Sequence, residues 1–497
     1  MPISFPAIPL PFLPPLYYAD IVPGASPIQM QLKLLLIGFK NSSGATGANN
    51  TPYILSGSEA TRLFGAGSML AAMYAKARAQ APYAEIWGMS LGTGEGAIAA
   101  QGSIKVPATP AGSGEVLIRI AGYAVRIAVR PDSAAFQAQR IRNAINAATG
   151  LPVTAALDPG DETKVIVTAK FPCSLGAWAW IEKNLPNVPQ PLTASWQVVG
   201  MGGVTTGSGS PLVAEGLAAL SNQRFDVIAA SIGVVSRESI VPFMDGIGGR
   251  WSPAQQLYGH WFVALPGTLA GLVTYGQGTN DPHCTTLGLP GAAQSPPWEY
   301  AAAIGAHATL HWSEPPELSR PLQTLKLRNI VAPPRSKAFT TGEQNSLLFA
   351  GISTFNVNDA DEATIGRLVT NRRVNDWGDE DPSWRDAVTM FQTMYFARRM
   401  RQAITSTFPR AALTTRDSGI PGFASPGAIR DLYIHEYKLM EAQGLVENSE
   451  AFAEALIVER NANDANRIDS LIKPDLVNQL RVVANLIETH LELDAVA

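Results

Sequence analysis

Continuous apolar runs and stretches of helical period alternate at first, give way to short β-like runs, and then return. Gln31–Lys40 (QLKLLLIGFK) reads as a buried strand. Ser58 can cap a helix over Glu59–Gln80 that carries Phe64, Met69, Leu70 and Met73 on one side. Tyr83–Met89 is the next strand, so a strand–helix–strand order opens an α/β domain. From Gly92 the texture changes. Short β runs (Gly102–Val106, Glu115–Ile120, Tyr123–Val129) precede a helix at Ser133–Ala148 and strands at Pro152–Leu157 and Lys164–Lys170. Glycine-rich stretches at Gly92–Gly96 and Gly202–Gly209 bracket the region, which reads as a small β-rich α+β domain inserted through flexible hinges.

The α/β pattern then resumes. Strands at Phe225–Ala230 and His260–Leu265 alternate with helices at Leu212–Ser221, Ser236–Gly246, Thr268–Tyr275 and Pro297–His311. This alternation predicts a mostly parallel sheet covered on both faces. The expected organisation is multidomain α/β and α+β. It comprises an N-terminal extended arm (1–30), a central α/β domain in two parts (31–91 and 212–335), the insert (92–211), a C-terminal α+β domain (336–465) and a C-terminal arm (466–497).

In the C-terminal domain, Ile352–Val357 and Ala363–Thr370 flank an Asp/Asn-rich turn and predict a hairpin covered by a helix over Ser383–Thr407. A second helix is expected at Pro426–Ala442. A two-stranded hairpin is marginal in water and needs more strands, from the chain's own ends or from neighbouring copies. Two segments can supply them. Residues 1–30 are proline-rich and apolar, hence extended, and lie either along a groove or as a strap on their own domain. In Leu476–Leu493, Ile487, Leu491 and Leu493 alternate with Glu488, His490 and Glu492, as in a strand with one buried face. The candidate arm residues are therefore Ile3, Phe5, Ile8, Val483, Ile487, Leu491 and Leu493. The candidate receiving residues are Ile352, Thr354, Phe355, Val357, Ile365, Leu368 and Val369, with hinges at Pro23–Pro27 and Asn461–Asn466.

Composition narrows the classes. A 46% hydrophobic share fits large cores, and a net charge of −4 without a basic block argues against nucleic acid as a partner. No apolar run reaches the roughly 18 residues of a membrane-spanning helix, and residues 1–30 lack the basic start of a secretion signal. Cys173 and Cys284 are too few for a disulfide framework and read as buried thiols, which suits a reducing cytoplasm.

Candidate chemistry is sparse. Gly88–Gly92 matches G-x-S-x-G, which makes a serine hydrolase using Ser90 the alternative reading; the glycine-rich sequence that follows is a poor helix start for such an elbow. His307 and His311 share a helix face, but Ala308 stands where a metalloprotease has glutamate. Asp376, Asp379, Glu380 and Asp381 interleave with Arg372, Arg373 and Arg385, which favours a salt-bridged loop over a Ca²⁺ site. Trp178, Trp180 and Trp196 are a thin basis for glycan binding by the insert. No catalytic, cofactor or metal site is expected. Arg398, Arg399 and Arg401 form a compact cationic patch, either solvated or set against an acidic partner.

Three stretches carry a resemblance: Pro15–Pro27 (PLYYADIVPGASP), Ser58–Gly92 (SEATRLFGAGSMLAAMYAKARAQAPYAEIWGMSLG) and Val458–Val482 (VERNANDANRIDSLIKPDLVNQLRV). The insert's GSIKV, GYAVRIAV and AINAATGLPVTAAL add a fourth. In matching order over nearly the whole chain, these are similar to the Mu-like contractile tail sheath proteins of bacteriophages. The resemblance implies a non-enzymatic virion protein with a subtilisin-like central domain, assembled in the host cytoplasm as stacked six-fold rings around the tail tube. It also implies that the insert faces outward and the C-terminal domain lies innermost, with Arg398, Arg399 and Arg401 as candidate tube contacts. The partners implied are further copies of itself, the tail tube protein, and the baseplate and tail terminator proteins. Protease motifs are incomplete: Asp417–Gly419 and Gly67–Met69 echo two of three, no histidine is followed by Gly-Thr, and the order is inverted.

Overall fold

The computed structural model describes residues 31–42, 45–183, 191–231 and 233–489. The proposed N-terminal arm, with Ile3, Phe5, Ile8 and the hinge at Pro23–Pro27, lies outside the described residues, as do Leu491 and Leu493.

A seven-stranded sheet organises the central domain. Its spatial order is Ile352–Ser353, Cys284–Pro290, His260–Gly267, Val227–Ser231, Lys33–Gly38, Glu85–Ser90 and Pro52–Ile54. Every neighbouring pair is parallel except the last, in which Pro52–Ile54 runs against Glu85–Ser90. Leu34, Leu35, Leu36 and Ile37 are fully buried, as a strand covered on both faces requires. The helix Pro297–His311 is apolar almost all round and packs against Met69–Gln80 and the central strands. Its small residues permit this approach: a Cβ on Gly305 would stand 3.3 Å from Ala229 and Val227. The single helix expected over Glu59–Gln80 is two, Glu59–Phe64 and Met69–Gln80. Gly65 and Gly67 adopt positive φ between them, and the Ser68 hydroxyl caps the second by accepting from the Ala71 N–H.

The insert has two sheets. One orders Gln197–Val199, Gln101–Lys105, Asp161–Ala169 and Val153–Asp158; the other orders Tyr123–Val129, Gly114–Ile120 and Ile181–Glu182. They enclose, with the helix Ala134–Ala147, a separate core that includes Ile118, Ile141, Val165 and Trp196. The expected flexible hinges are corrected. The connecting segments bridge each other at Thr93–Pro211, Ile98–Ser208 and Gln101–Thr205. A hairpin tip of the insert is also latched to the central domain. The Tyr123 hydroxyl donates to Glu299 Oε1 at 2.8 Å, Lys76 Nζ lies 3.3 Å from Glu299 Oε2, and Arg119 donates to Gln294 at 2.8 Å. Burial raises the Glu299 carboxyl above its usual range, against the pull of Lys76 and the Tyr123 hydroxyl.

The expected hairpin exists, with Phe355 opposite Ile365, but it is not alone. Lys326–Val331 pairs with Glu362–Ile365 as a third strand. The run Ile352–Val357 divides between two sheets, because Ile352–Ser353 joins the central sheet beside Cys284–Pro290. The long helix spans Ala387–Thr407 and packs on the helix Pro426–Ala442. Phe391 anchors it to the central domain, 4.9 Å from Trp312 and 6.1 Å from Phe262 between ring centroids. Covering the hairpin is not its main work.

Candidate assembly surfaces

The C-terminal tail leaves the body at a defined point. Val477 donates its N–H to Leu445 O, Gln392 donates to Val477 O, and Arg481 pairs with Asp386 at 2.9 Å. Beyond it, Val482–Thr489 forms no strand, and Val483 and Ile487 are exposed together with Val482 and Leu486. Leu486 is 88% and Ile487 80% exposed. Among the described residues, the apolar side chains of this segment lie on no sheet. Contiguous apolar exposure of this kind marks a binding segment.

Two sheets present edges that such a strand fits. In the three-stranded sheet, Thr354 and Asn358 direct their main-chain groups to the partner strand: Thr354 N–H donates to Arg367 O, and Asn358 N–H to Glu362 O. Antiparallel alternation then turns the groups of Phe355 and Val357 outward. The opposite edge is closed by side chains. Gln80 exchanges hydrogen bonds with the Arg328 main chain, Lys76 donates to Asn329 O, and Ser295 and Tyr300 take the two main-chain groups of Val331. The side chains of Ile352, Thr354, Phe355, Ile365, Leu368 and Val369 are buried and that of Val357 is half-buried, so this sheet offers main chain rather than a side-chain groove.

The second sheet was missed. Ile457–Arg460 pairs antiparallel with Ile468–Leu471, and among the described residues no third strand joins them. Ile457 and Leu471 face each other, both exposed. The segment Asn461–Asn466, expected as a hinge, is this hairpin's turn: Asn461 Oδ1 accepts from the N–H groups of Asn463 and Asp464. The cue was its Asx-rich composition between the β-branched Ile457-Val458 and Ile468.

The cationic patch is corrected in two of its three members. Arg398 lies 2.6 Å from Asp226, a fully buried carboxylate that also accepts from Arg224 at 2.9 Å and from Lys33 N–H at 2.8 Å. Its guanidinium covers the Tyr258 ring, and Arg399 pairs with Glu436 at 2.7 Å. These pairs fasten the long helix to the central sheet and to its neighbouring helix. Arg401 alone of the three is exposed.

The other candidates have structural surroundings. Ser90 is buried; its hydroxyl donates to Asn49 and accepts from Lys40 N–H, and no helix follows it. The acidic loop is salt-bridged, with Arg372 to Asp381 and Arg385 to Glu380. Among the described residues no group of three potential ligands is placed to hold a metal ion, and no helix is long and apolar enough to cross a membrane. Cys173 and Cys284 are buried free thiols.

His307 Nε2 donates to Lys326 O, and the ring stacks on His311. Burial pushes its pKa down from 6.5 to about 4, against the carbonyl's opposing pull and with a smaller push from His311. The folded value lies below the unfolded one, so the stability from the neutral ring is complete above pH 6.5 and declines as pH falls toward 4. The decline is expected to reach about 3 kcal/mol. Denaturant titrations across that window check it, and His307→Gln is expected to flatten the dependence.

Among the described residues, the molecule thus carries sheet edges without a further strand and an exposed apolar tail. Comparison with known proteins identifies the family. The phage tail sheath protein central domain matches residues 206–370, and the phage tail sheath C-terminal domain matches residues 379–489. Together the two cover more than half of the sequence, and the chain belongs to the phage tail sheath family. It is 28% identical to the Mu-like prophage FluMu tail sheath protein of Haemophilus influenzae over 98% of this chain and 99% of that one. Among solved structures, a sheath tail protein of Listeria innocua aligns with TM-score 0.48 and 10% identity over 90% of this chain and 92% of that one. One of Desulfitobacterium hafniense aligns with TM-score 0.47 and 10% identity, over 93% and 100%. The role is that of a structural component of a contractile phage tail sheath, not of a serine hydrolase.

Proposed function

We propose that copies of this chain polymerise by lending each other strands. The tail beyond Arg481 of one copy, and the N-terminal arm, add to open sheet edges of neighbours, at Phe355–Val357 or at the hairpin Ile457–Leu471. Main-chain pairing gives a strong link that tolerates sequence change. The single observation that carries this reading is the exposed apolar tail, anchored by the Arg481–Asp386 pair, beside edges that lack a strand.

On this reading the subunits stack as six-fold rings around a tail tube, meet baseplate and tail terminator proteins at the ends, and assemble in the host cytoplasm. The central domain is subtilisin-like, which its mostly parallel sheet supports. The insert faces outward, and the C-terminal domain lies innermost, with Arg401 toward the tube. Contraction needs no nucleotide. The extended lattice is a kinetically trapped state, and new contacts in the shorter lattice release free energy while the exchanged strands keep every body tethered.

Removing residues 481–497 is expected to leave a folded, monomeric protein that makes no tubes. Removing residues 1–14 is expected to do the same. Electron microscopy and sedimentation check this; long tubes from either truncated protein would sink strand exchange.

A further inference from the structure

Trp377 stands at the tip of the loop that follows the receiving hairpin, and it is 87% exposed. The loop is built to hold it there. Asn375 Oδ1 accepts from the N–H groups of Trp377 and Asp379, and Val374 bridges Glu380. Asn280 accepts from Arg373 and Val374 N–H at 2.8 and 3.1 Å, which fixes the loop at the N-terminal end of the strand Cys284–Pro290. Asp376 and Asp379 flank the indole, both exposed. A solvent-facing indole on a hydrogen-bonded loop, with Asp376 and Asp379 beside it in the sequence, has the character of a binding anchor, since little backbone entropy is lost when it docks.

The far edge of the same sheet carries a patch of matching chemistry. Arg78 donates to Pro82 O, Ala84 O and Leu55 O, so Tyr83 and Ile54 flank one guanidinium. Tyr83 is 90% exposed, and Ile54 is exposed beside it. Arg328 is exposed nearby, with its Nη1 on Ala79 O. Neither arginine has a carboxylate partner among the described residues. Tyr83 precedes Glu85–Ser90, so this patch also lies at the N-terminal end of the parallel strands. Four to five strand spacings, from Cys284–Pro290 to Glu85–Ser90 and Pro52–Ile54, place it roughly 20–25 Å from the tip.

We propose that the Trp377 tip of one copy docks on the Tyr83–Ile54 patch of a second copy, with Asp376 and Asp379 meeting Arg78 and Arg328. Patches at opposite edges of one molecule make a head-to-tail contact, which joins copies into a ring or helix rather than a closed pair. The proposal rests on the reading of the chain as a polymer of identical copies, but uses none of the strand-exchange elements.

The test measures the critical concentration for polymerisation of the full chain. Trp377→Ala and Tyr83→Ala are each expected to raise it at least ten-fold while monomer melting stays unchanged, because both side chains are solvent-facing. The double variant is expected to be no worse than either single one, as for two halves of one contact. Arg328→Asp is expected to weaken assembly, and Asp376→Arg to restore it. Normal assembly by Trp377→Ala, or single effects that multiply in the double variant, would overturn the contact. Tubes from Trp377→Ala with none from the truncated tail would discard this contact and leave strand exchange standing. The converse pattern would discard strand exchange and leave this contact standing.

Discussion

Asp226→Ala is expected to lower the unfolding free energy by about 3–5 kcal/mol, the usual cost of leaving one member of a buried ion pair without its partner. The carboxylate is wholly buried and collects Arg398, Arg224 and the Lys33 N–H. Burial by itself would raise its pKa, but Arg398 and Arg224 prevail and hold it below the usual carboxylate range. The stability it gives is therefore present above that range and lost as pH falls through the lowered folded value. Asp226→Asn keeps one acceptor oxygen but turns an NH2 toward the remaining donors, and is expected to fall between parent and alanine variant. Urea titration measures the series. A loss under about 1 kcal/mol for the alanine variant would mean that water replaces the carboxylate and the long helix is held by Phe391 and its apolar neighbours alone.

The second large effect concerns assembly. Val357→Pro removes an outward N–H from an edge strand, where proline is tolerated, so the monomer is expected to fold. If the tail pairs there, losing one main-chain hydrogen bond of about 1 kcal/mol raises the critical concentration for tubes roughly five-fold. Ile457→Lys asks the same of the second hairpin by placing a charge on its exposed apolar pair. Light scattering against protein concentration distinguishes the two sheets, and normal tubes from both variants would count against strand addition at either edge.

Much of the fold was legible because its signals are local. The apolar runs around Leu34–Ile37, Val227–Ala230 and Phe262–Ala264 are buried strands of the central sheet, and the change of texture after Gly92 coincides with a separate core. What was misjudged depends on partners distant in sequence. Arg398 and Arg399 look like surface charge until Asp226 and Glu436 come beside them. Ile352 extends the same β-branched run as Phe355, and only the neighbouring strand Cys284–Pro290 draws it into another sheet. The hairpin Ile457–Leu471 was obscured because Glu459, Arg460 and Asp469 interrupt its apolar alternation. The tail was read as a strand from its alternation, yet Val482–Thr489 forms none, and no described sheet of the same chain takes it up.

The Tyr123–Glu299–Lys76 contact has a mechanical consequence. Bolted at its hairpin tip as well as at both connecting strands, the insert cannot lag behind the body that carries it. On the proposed ring assembly with the insert outward, any turn of the central domain is passed to the insert in full, and a small angular step near the hub becomes a large sideways excursion at the rim.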